Sequence, residues 1–426
     1  MSVNVIPRPF NLSDLNDSAI KVASRLNEKG YEAYVVGGAV RDLMLGKTPK
    51  DFDVATNATP EQVAALFRGS RIVGRRFQIV HVRMGREIIE VTTFRGDHES
   101  ADSKDKNQAR RGQTGVLLRD NVFGTLEQDA IRRDLTINAL YYNPLDDSVI
   151  DYTNGLEDIA SRLLKLIGEP KTRYQEDPVR MLRVVRFQAK LGFDIESQTA
   201  LAIEDCANLL AQIPAARLFD EFLKGFMGGD AAAFADALLA TPLWQELFPD
   251  NAQYLNKKPE YLKLLKQSLI NTDERVNSGK RVTPAFLLAA ILWPAVDQAW
   301  GAAVSRGEAP IPAMNSAGQE VILRAISRIA IPKRFSMVMR EIWDLQMRMD
   351  RRRHRKPLEF ASSKRFRAAY DFLLLRAEAG EPLQDIAQWW TEFQHKNPQL
   401  DELRAAQPAD EPVKRRRPPR RRRRPS

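Results

Sequence analysis

The stretch Val35–Pro60, VVGGAVRDLMLGKTPKDFDVATNATP, predicts how the first part of the chain folds. A β-rich run ends directly before Gly37 and Gly38, and a short helical segment follows the two glycines. A second strand is predicted over Asp51–Ala55. The next helix begins after Thr59, whose side chain suits the N-cap position and is followed by a proline. The order of strand, glycine pair, helix and strand predicts a domain that mixes helices with a β-sheet.

The second predicted strand carries two aspartates, Asp51 and Asp53, on either side of Phe52. Side chains alternate along a strand, so both carboxylates would point to one face, with Cα atoms about 6–7 Å apart, and Phe52 would point into the core. Carboxylates at that spacing can share two divalent cations about 3.5–4 Å apart, the arrangement used for in-line displacement at phosphorus. Oxygen ligands and phosphate substrates favour Mg²⁺. An isolated Asp-x-Asp pair is also common as a solvated strand end, so the neighbouring sequence context must distinguish a metal site from that alternative.

That context is the glycine pair. Without Cβ atoms, Gly37 and Gly38 let the backbone approach a phosphate closely, and the N-terminus of the following helix offers N–H donors. Arg41, one turn into the helix, is placed to meet a triphosphate oxygen. The alternative is a tight strand-to-helix turn with Arg41 as a solvated charge. A glycine pair followed by Asp-x-Asp on the next strand favours the phosphate site.

The rest of the chain divides into a mixed part and a helical part. A β-hairpin is predicted at residues 77–94, and the polar segment 97–120 is predicted to be a mobile surface loop. From Asp158 onward helical periodicity dominates. The predicted helices are Pro178–Leu191, Ser197–Leu210, Ala216–Met227, Ala231–Leu239, Pro284–Trp293, Ala317–Ile329, Phe335–Met349 and Ser363–Ala377. The fold class is therefore α+β, a small mixed β-sheet followed by an all-α body.

Charge is concentrated at the end of the chain. Nine of the 65 cations lie in Lys414–Ser426, KRRRPPRRRRRPS, which contains no acid. The remaining 56 cations nearly balance the 55 acids of the chain. Such a segment binds polyanions through counterion release, and its composition predicts disorder. The alternative is a solubility or localisation segment.

Other features exclude several classes of protein. The single cysteine, Cys206, excludes an intramolecular disulfide and fits a reducing cytoplasm. Four scattered histidines argue against a zinc site. The apolar run Pro284–Val296 is too short to span a membrane, which takes about 20 residues, and the first residues show no signal-peptide pattern. We therefore expect a cytoplasmic protein without a membrane span.

Taken together, these motifs resemble the class II nucleotidyltransferases of the polymerase β superfamily, which include bacterial poly(A) polymerases and tRNA CCA-adding enzymes. Three more segments agree with that family in order and spacing: Ile89–Arg95 (IEVTTFR), Arg132–Leu140 (RRDLTINAL) and Glu176–Phe187 (EDPVRMLRVVRF). The resemblance implies a palm-type head at residues 1–150, a helical neck for nucleobase and RNA binding at 151–240 and a helical RNA-binding body at 241–410. A disordered Arg-rich tail would occupy 411–426.

The resemblance also implies roles for individual residues. Asp51 and Asp53 match the metal-binding carboxylates, and Asp134 matches the aspartate counted with the active site. Asp177 and Arg180 match the pair that reads the incoming base. The other nucleotide-binding positions are Gly37, Gly38, Arg41, Arg133 and Asn138. The reaction implied uses two Mg²⁺ ions and ATP to add AMP to RNA 3′ ends, with release of pyrophosphate.

Two assignments stay open at this stage. Glu90 lies on a strand expected beside Asp51–Ala55 and competes with Asp134 for the position of third acid. Arg180 belongs to a basic helix face with Arg183, Arg186 and Lys190, which is either an RNA-binding surface or an ordinary solvated face.

Three segments favour poly(A) addition over CCA addition. Ile72–Val82 (IVGRRFQIVHV), Ile331–Arg340 (IPKRFSMVMR) and Lys364–Tyr370 (KRFRAAY) are similar to bacterial poly(A) polymerases. The basic tail also suits unselective RNA 3′ ends. The first alternative is a CCA-adding enzyme. The second is a non-catalytic RNA-binding protein, which is less favoured because the glycine pair and both acids are retained.

Overall fold

The computed structural model describes residues 3–74, 78–96, 109–111, 117–120, 122–349 and 356–405. The chain forms two compact units. The first unit contains Met1–Ala252, Leu269–Val282 and Ala325–Ile331, and the second contains Gln253–Ser268, Thr283–Arg324 and Pro332–Ser426. The expected head and neck thus fall in one unit, and their division at residue 150 stays a prediction. The basic tail lies outside the described residues, as do residues 75–77 of the segment similar to poly(A) polymerases.

Eight strands of the first unit form one sheet in the order β1-β10-β9-β2-β3-β6-β5-β4. Only β3 and β6 pair in parallel, so the sheet is mixed, as predicted. Two further pairs, β7 with β8 and β11 with β12, stand apart from this sheet. The strands are β1 (Asn4–Pro7), β2 (Ala33–Val36), β3 (Asp53–Thr56), β4 (Arg71–Val73), β5 (Ile79–Met84), β6 (Glu87–Thr93), β7 (Ala109–Arg111), β8 (Leu117–Asp120), β9 (Leu140–Asn143), β10 (Ser148–Asp151), β11 (Leu163–Leu164) and β12 (Asp194–Ile195).

Helices make up most of the remaining described chain, which confirms the α+β class. In the first part they are α1 (Asp17–Glu28), α2 (Gly38–Met44), α3 (Pro60–Leu66), α4 (Leu126–Arg132), α5 (Gly155–Ala160), α6 (Pro170–Glu176), α7 (Val179–Leu191), α8 (Ser197–Cys206), α9 (Ala215–Phe226) and α10 (Ala231–Leu239). They continue with α11 (Leu243–Leu247), α12 (Pro249–Tyr254), α13 (Pro259–Asn277), α14 (Pro284–Ser305), α15 (Pro310–Arg328), α16 (Lys333–Met349), α17 (Pro357–Ser362), α18 (Phe366–Ala379), α19 (Gln384–His395) and α20 (Leu400–Ala405).

The predicted strand Asp51–Ala55 is wrong at its start, because β3 begins at Asp53. The cause is its partner strand β2, whose last residue, Val36, pairs with Asp53. Gly37 then turns the chain away with a φ of +76°, so β2 has no residue left to pair with Asp51. Phe52, expected in the core, also precedes β3 and is only half-buried.

The prediction of a loop over residues 97–120 is wrong in part, because the segment contains β-strands. Two short strands within it, β7 and β8, pair antiparallel, although most of the segment lies outside the described residues. The ends of the segment are held together at Gly96 and Gly124. Gly96 donates its N–H to Val122 O (2.8 Å), and Gly124 donates to Phe94 O (3.0 Å).

One face of the sheet packs against α4. Val36, Ala55, Phe94 and Tyr141 form a buried cluster there with Leu126 and Ala130 of that helix. Helix α1 contacts β2, β3 and β6 through its own buried side, which carries Ala19, Val22, Ala23 and Leu26. Because the residue pairs Val36–Asp53 and Asp53–Glu90 are in register, the side chains of Asp53 and Glu90 emerge beside each other at the edge of this core.

In the second unit, helices α16 to α20 share an aromatic core around Trp390, Phe360, Phe366 and Leu373. Helix α14 is the one helix among the described residues that is long and apolar enough to cross a membrane, and most of its apolar stretch is buried. Burial of that kind is typical of the core helix of a globular unit, and the length criterion alone is weak support for a span.

Gly155 offers a direct test of packing near the candidate site. A Cβ atom there would lie 2.3 Å from Thr136 O, a backbone atom of the turn Thr136–Asn138. We expect Gly155→Ala to lower the free energy of unfolding by about 1–3 kcal/mol, because the backbone must move to admit the methyl group. The matched control is Gly301→Ala within α14, where a Cβ meets nothing within 4 Å.

Thermal melting followed by circular dichroism measures both variants. The control is expected to be neutral or slightly stabilising, since alanine favours a helix over glycine by about 1 kcal/mol. Equal melting temperatures for Gly155→Ala and the wild type would show that the contact is not tight.

Candidate active site

A cavity of about 390 Å³ opens on the sheet face of the first unit, beside α4 and α7. Val36, Ile79 and Thr92 contribute lining from three strands of the sheet, β2, β5 and β6. Its other lining residues are all charged. They are Asp53, Glu90, Arg95, Asp129, Arg132, Arg133, Asp134, Asp177, Arg180, Arg183 and Arg217.

The acidic end of this cavity is formed by Asp53 and Glu90, which occupy paired positions on the parallel strands β3 and β6. Burial raises the pKa of Asp53 to about 6, and the carboxylates of Glu90 and Asp51 act in the same direction, while Arg133 opposes them. Glu90 lies 3.3 Å from His81 Nε2. The carboxylates therefore repel one another at a point where a bound cation would be stabilised.

Asp51 lies two residues before β3 and is exposed, outside the lining of the cavity. It is nevertheless close enough to Asp53 to raise that residue's pKa. Across the described ranges, no three His, Cys, Asp or Glu side chains converge closely enough to bind a metal by themselves. A divalent ion such as Mg²⁺ is commonly held by one or two carboxylates together with substrate phosphates, so the acids fit that mode of binding.

The glycine pair lies at the same end of the sheet as Asp53. Gly37 caps α2 with a φ of +76° and a ψ of −130°, a conformation that side chains strongly disfavour. A Cβ atom at Gly37 would lie 3.5 Å from Arg133 Nη1, and one at Gly38 would lie 3.6 Å from Arg41 Nη2. The two glycines thus keep the backbone open beside two guanidinium groups.

Arg133 is oriented by a buried carboxylate. Asp129 accepts hydrogen bonds from Arg133 Nε (3.1 Å) and Nη2 (3.0 Å), and from the hydroxyl of Tyr141 (2.6 Å). Burial alone would raise the pKa of Asp129, but Arg133 and Tyr141 hold it below its usual value. Arg133 therefore remains a fixed cation, with Nη1 turned toward Gly37.

Asp134 is tied to helix α7 and is fully paired. Its Oδ2 accepts hydrogen bonds from Arg183 (2.6 Å), and its Oδ1 accepts from the Leu135 N–H (2.8 Å) and from Asn138 (3.3 Å). Burial acts to raise the pKa of Asp134, yet Arg183 and these donors hold it well below its usual range. A carboxylate compensated in this way is suited to positioning, whereas Glu90 lies beside Asp53 at the acidic end of the cavity.

Arg41 was predicted to meet a phosphate oxygen of the substrate, but its side chain does not line the cavity. Its side chain is only 3% exposed and donates to Asp42 Oδ1 (2.9 and 2.6 Å) and to Asn138 Oδ1 (2.6 Å). Its guanidinium also lies 4.8 Å from the centre of the Phe187 ring. Arg41 and Asn138 thus connect α2 with Asp134 from inside the protein, because the short helix α2 turns this position inward.

The two predicted base-reading residues both line the cavity and both have protein partners. Arg217 of α9 donates to both oxygens of Asp177, at 2.7 and 2.6 Å. Arg180 donates to Glu176 (3.0 Å) and to the carbonyl of Arg173 (2.8 Å) through Nη1. These bonds fix the orientation of both side chains.

The basic face predicted on α7 is not a solvated surface. Burial lowers the pKa of Arg186 and of Lys190, which shows that these cations are partly enclosed. Each cation of the face lies near an acid of the first unit: Arg180 near Glu176, Arg183 near Asp134, Arg186 near Glu221 and Lys190 near Asp42. The face is therefore largely engaged in ion pairs within the first unit, and two of its members, Arg180 and Arg183, also line the cavity.

Three residues that shape the site, Asp129, Arg183 and Arg217, had no individual role predicted from the sequence. Asp129 precedes Arg133 by four positions on α4, a spacing that indicates an ion pair. Arg183 was noted only as part of a basic face. Arg217 lies 40 residues after its partner Asp177, and no local pattern connects the two.

Comparison with known protein families agrees with this geometry. A model described as the poly(A) polymerase head domain matches residues 33–165. A model of a probable RNA- and SrmB-binding site of polymerase A matches residues 192–255, and one of the arginine-rich C-terminus of polymerase A matches residues 306–425. All three belong to the same kind of enzyme, in the expected order.

Individual relatives are consistent with these matches. The poly(A) polymerase I of Salmonella typhimurium is 47% identical over 97% of this chain and 91% of its own length. A CCA-adding enzyme of Bacillus pumilus is 38% identical over only 54% of each chain. The crystal structure of the Bacillus stearothermophilus CCA-adding enzyme in complex with CTP aligns with a TM-score of 0.58 and 26% identity, covering 89% of this chain and 82% of that one. These similarities show that the chain belongs to the poly(A) polymerase family of nucleotidyltransferases.

Proposed function

We propose that the cavity beside Asp53 is where AMP is transferred from ATP to an RNA 3′ end. The enzyme class and the choice of poly(A) over CCA addition agree with relatives at 44–48% identity over most of the chain. The observation that supports this site is the concentration of charge in one cavity. Carboxylates lie at one end, on β3 and β6, and guanidinium groups lie along the α4 and α7 walls.

The family uses a divalent metal, and we propose Mg²⁺ ions held by Asp53, with Glu90 and Asp51 nearby. When bound, the metal would neutralise phosphate charge and stabilise the leaving pyrophosphate. The protein's own contribution is orientation and fixed charge. Arg133, oriented by Asp129, presents a cation next to the open backbone of Gly37, where a triphosphate would be bound. Two ions, as predicted from the motif, remain part of the proposal.

Asp134 then has a positioning role in this proposal. Through Arg183 it joins the segment after α4 to helix α7, and through Asn138 it reaches Arg41 behind the glycine pair. The chain thereby fixes the phosphate-binding end and the base-binding end of the cavity relative to each other. Such preorganisation increases rate by holding reactants in a productive geometry.

In this proposal Arg180 is the residue that recognises the base, because Asp177 already accepts two hydrogen bonds from Arg217. Nη1 of Arg180 is held by Glu176 and the Arg173 carbonyl, which leaves its remaining N–H groups to donate to a base. Adenine and cytosine present different acceptors to a fixed donor. A rigid arginine therefore distinguishes them better than a mobile one.

We expect Arg180→Ala to reduce the preference for ATP over CTP by about tenfold or more, since one buried hydrogen-bonding group contributes about 1.5–3 kcal/mol of discrimination. The measurement is the ratio of kcat/KM values for the two nucleotides on one RNA oligomer. Arg306→Ala, at an exposed ion pair with Glu308 in the second unit, is the control. An unchanged ratio in Arg180→Ala would remove Arg180 from base recognition.

A generic RNA 20-mer tests the proposed function as a whole. With Mg²⁺ and ATP alone we expect a ladder of products that grows without a fixed end point. Incorporation of CTP that stops after three nucleotides and needs tRNA ends would support CCA addition instead. No growth at all would support a non-catalytic RNA-binding protein. A cytoplasmic location and RNA binding by the basic tail remain part of the same proposal.

A further inference from the structure

A second cavity, of about 300 Å³, lies within the second unit between α18 and α19. Tyr370 and Thr391 line it, and their hydroxyls are joined by a hydrogen bond of 2.6 Å. Leu374 and Leu400 contribute apolar lining, and Arg367 and Asn397 contribute polar lining. Small-molecule pockets begin at about this volume, roughly 300–1,000 Å³. The cavity belongs to the body of the enzyme and takes no part in the site described above.

Arg367 contributes a planar guanidinium group to the lining of this cavity. Its guanidinium is 5.7 Å from the centre of the Tyr370 ring, and its Nε lies 2.9 Å from Asp371. The Arg367 side chain remains 64% exposed, so one part of it is open to a ligand. Exposed bases of single-stranded RNA stack on guanidinium planes of this kind. Because Asp371 already compensates the charge, the position suits a neutral base better than a phosphate.

Asn397 provides an edge with unused hydrogen-bonding capacity. Its Nδ2 donates one hydrogen bond to Phe393 O (2.7 Å), and its Oδ1 accepts one from Gln399 (3.3 Å). A primary amide has two N–H donors and two acceptor lone pairs, so one of each remains. An asparagine that offers one donor and one acceptor is complementary to the N6 and N7 positions of adenine.

We propose that this cavity binds an adenine nucleotide of the RNA product, with the base against Arg367 and its edge at Asn397. The product of the reaction is a run of adenylates, so this base is always available once a tail has begun. The basic tail lies close in sequence, since Lys414 follows Leu400 by 14 residues. Fourteen residues span at most about 50 Å, so RNA held by the tail, as proposed above, would be within reach of this cavity. The subsite would retain RNA that already ends in poly(A).

The test uses the full chain with fluorescein-labelled A20 and U20 RNA, in EDTA to prevent extension. Arg367→Lys keeps the charge and removes the plane. We expect it to weaken A20 binding by about fivefold or more, the factor that one stacked base contributes, and to weaken U20 binding less, because uracil lacks the N6 and N7 edge that fits Asn397. Arg306→Lys in the same unit, at an exposed pair with Glu308, is the matched control and should change neither affinity.

Asn397→Ala supplies the second variant and should also reduce the preference for A20 over U20. Cross-linking of wild-type protein to A20 that contains 8-azidoadenosine is independent of any substitution, and it should label a peptide within residues 391–400. Unchanged A20 affinity in Arg367→Lys, or equal losses for A20 and U20, would overturn the adenine site. The absence of cross-links in that peptide would overturn it as well.

Discussion

Asp53→Asn is expected to reduce the rate of adenylate addition by about 1,000-fold or more. Asp53 lies at the acidic end of the cavity, paired in register with Glu90, and its charge is the feature that a metal–triphosphate complex would need. Asparagine keeps the shape and removes the charge. Primer extension on an RNA 20-mer with saturating ATP and Mg²⁺ measures the effect, and Asp14→Asn, at an exposed position far along the chain from the motif, is the control.

Stability distinguishes loss of chemistry from loss of structure in this variant. The raised pKa of Asp53, about 6, means that its ionised form costs folding free energy above that pH, while below about pH 4 the cost is absent. In EDTA at pH 8, Asp53→Asn should therefore unfold at the same temperature as the wild type or at a higher one. A variant that was both inactive and clearly less stable would indicate a structural role for Asp53.

Removal of Lys414–Ser426 is expected to weaken RNA binding by about 100-fold at 0.1 M salt. The segment carries nine cations and no acid. Each phosphate neutralised on a single strand contributes about 0.7 to the slope of log K against log salt, so nine contacts would contribute about 6. We expect the slope of the truncated protein to be shallower by at least about 3. Fluorescence anisotropy with labelled RNA over a range of KCl concentrations measures both quantities.

A tail in which every arginine is replaced by lysine is the matched control for this deletion. Counterion release depends on charge, so this variant should keep most of the salt dependence of the wild type. If truncation left the slope unchanged, the tail would not be an RNA-binding segment. If the lysine tail lost affinity as strongly as the truncation, recognition would depend on the guanidinium groups themselves.

Local patterns predicted much of the fold. Helices α7, α9 and α10 were predicted within one or two residues, because their apolar residues recur at helical spacing. The start of β3 was missed because it depends on where its partner β2 ends, which a single strand does not reveal. Helices α13 and α19 were not predicted, since charged and polar residues interrupt their apolar pattern.

In the site, too, local sequence motifs identified the residues, whereas their contacts depend on residues far away in the chain. The motifs identified Asp53, Arg133, Asp134, Asp177 and Arg180, and the structure brings all five to one cavity. Which of them are available to a substrate depends on partners far away in sequence. Arg183 pairs with Asp134 and Arg217 pairs with Asp177 across 49 and 40 residues, and neither pairing follows from periodicity.

The inward position of Arg41 was missed for a related reason. Its burial depends on Asn138 and Phe187, which reach it from two other elements. A residue one turn into a helix that follows two glycines is exposed in an isolated helix, and only tertiary packing encloses it. The sequence therefore supplied the chemical groups, and the long-range ion pairs determine which of them face the substrate.

We propose that Asp53, with its neighbouring carboxylates, holds the divalent ions of the reaction. Electron paramagnetic resonance of Mn²⁺, titrated into the full chain with an ATP analogue that cannot be cleaved between the α- and β-phosphates, tests it without relying on turnover. We expect two tightly bound Mn²⁺ ions per wild-type chain and fewer in Asp53→Asn. If Asp53→Asn bound as many ions with the same affinity, the claim would be contradicted.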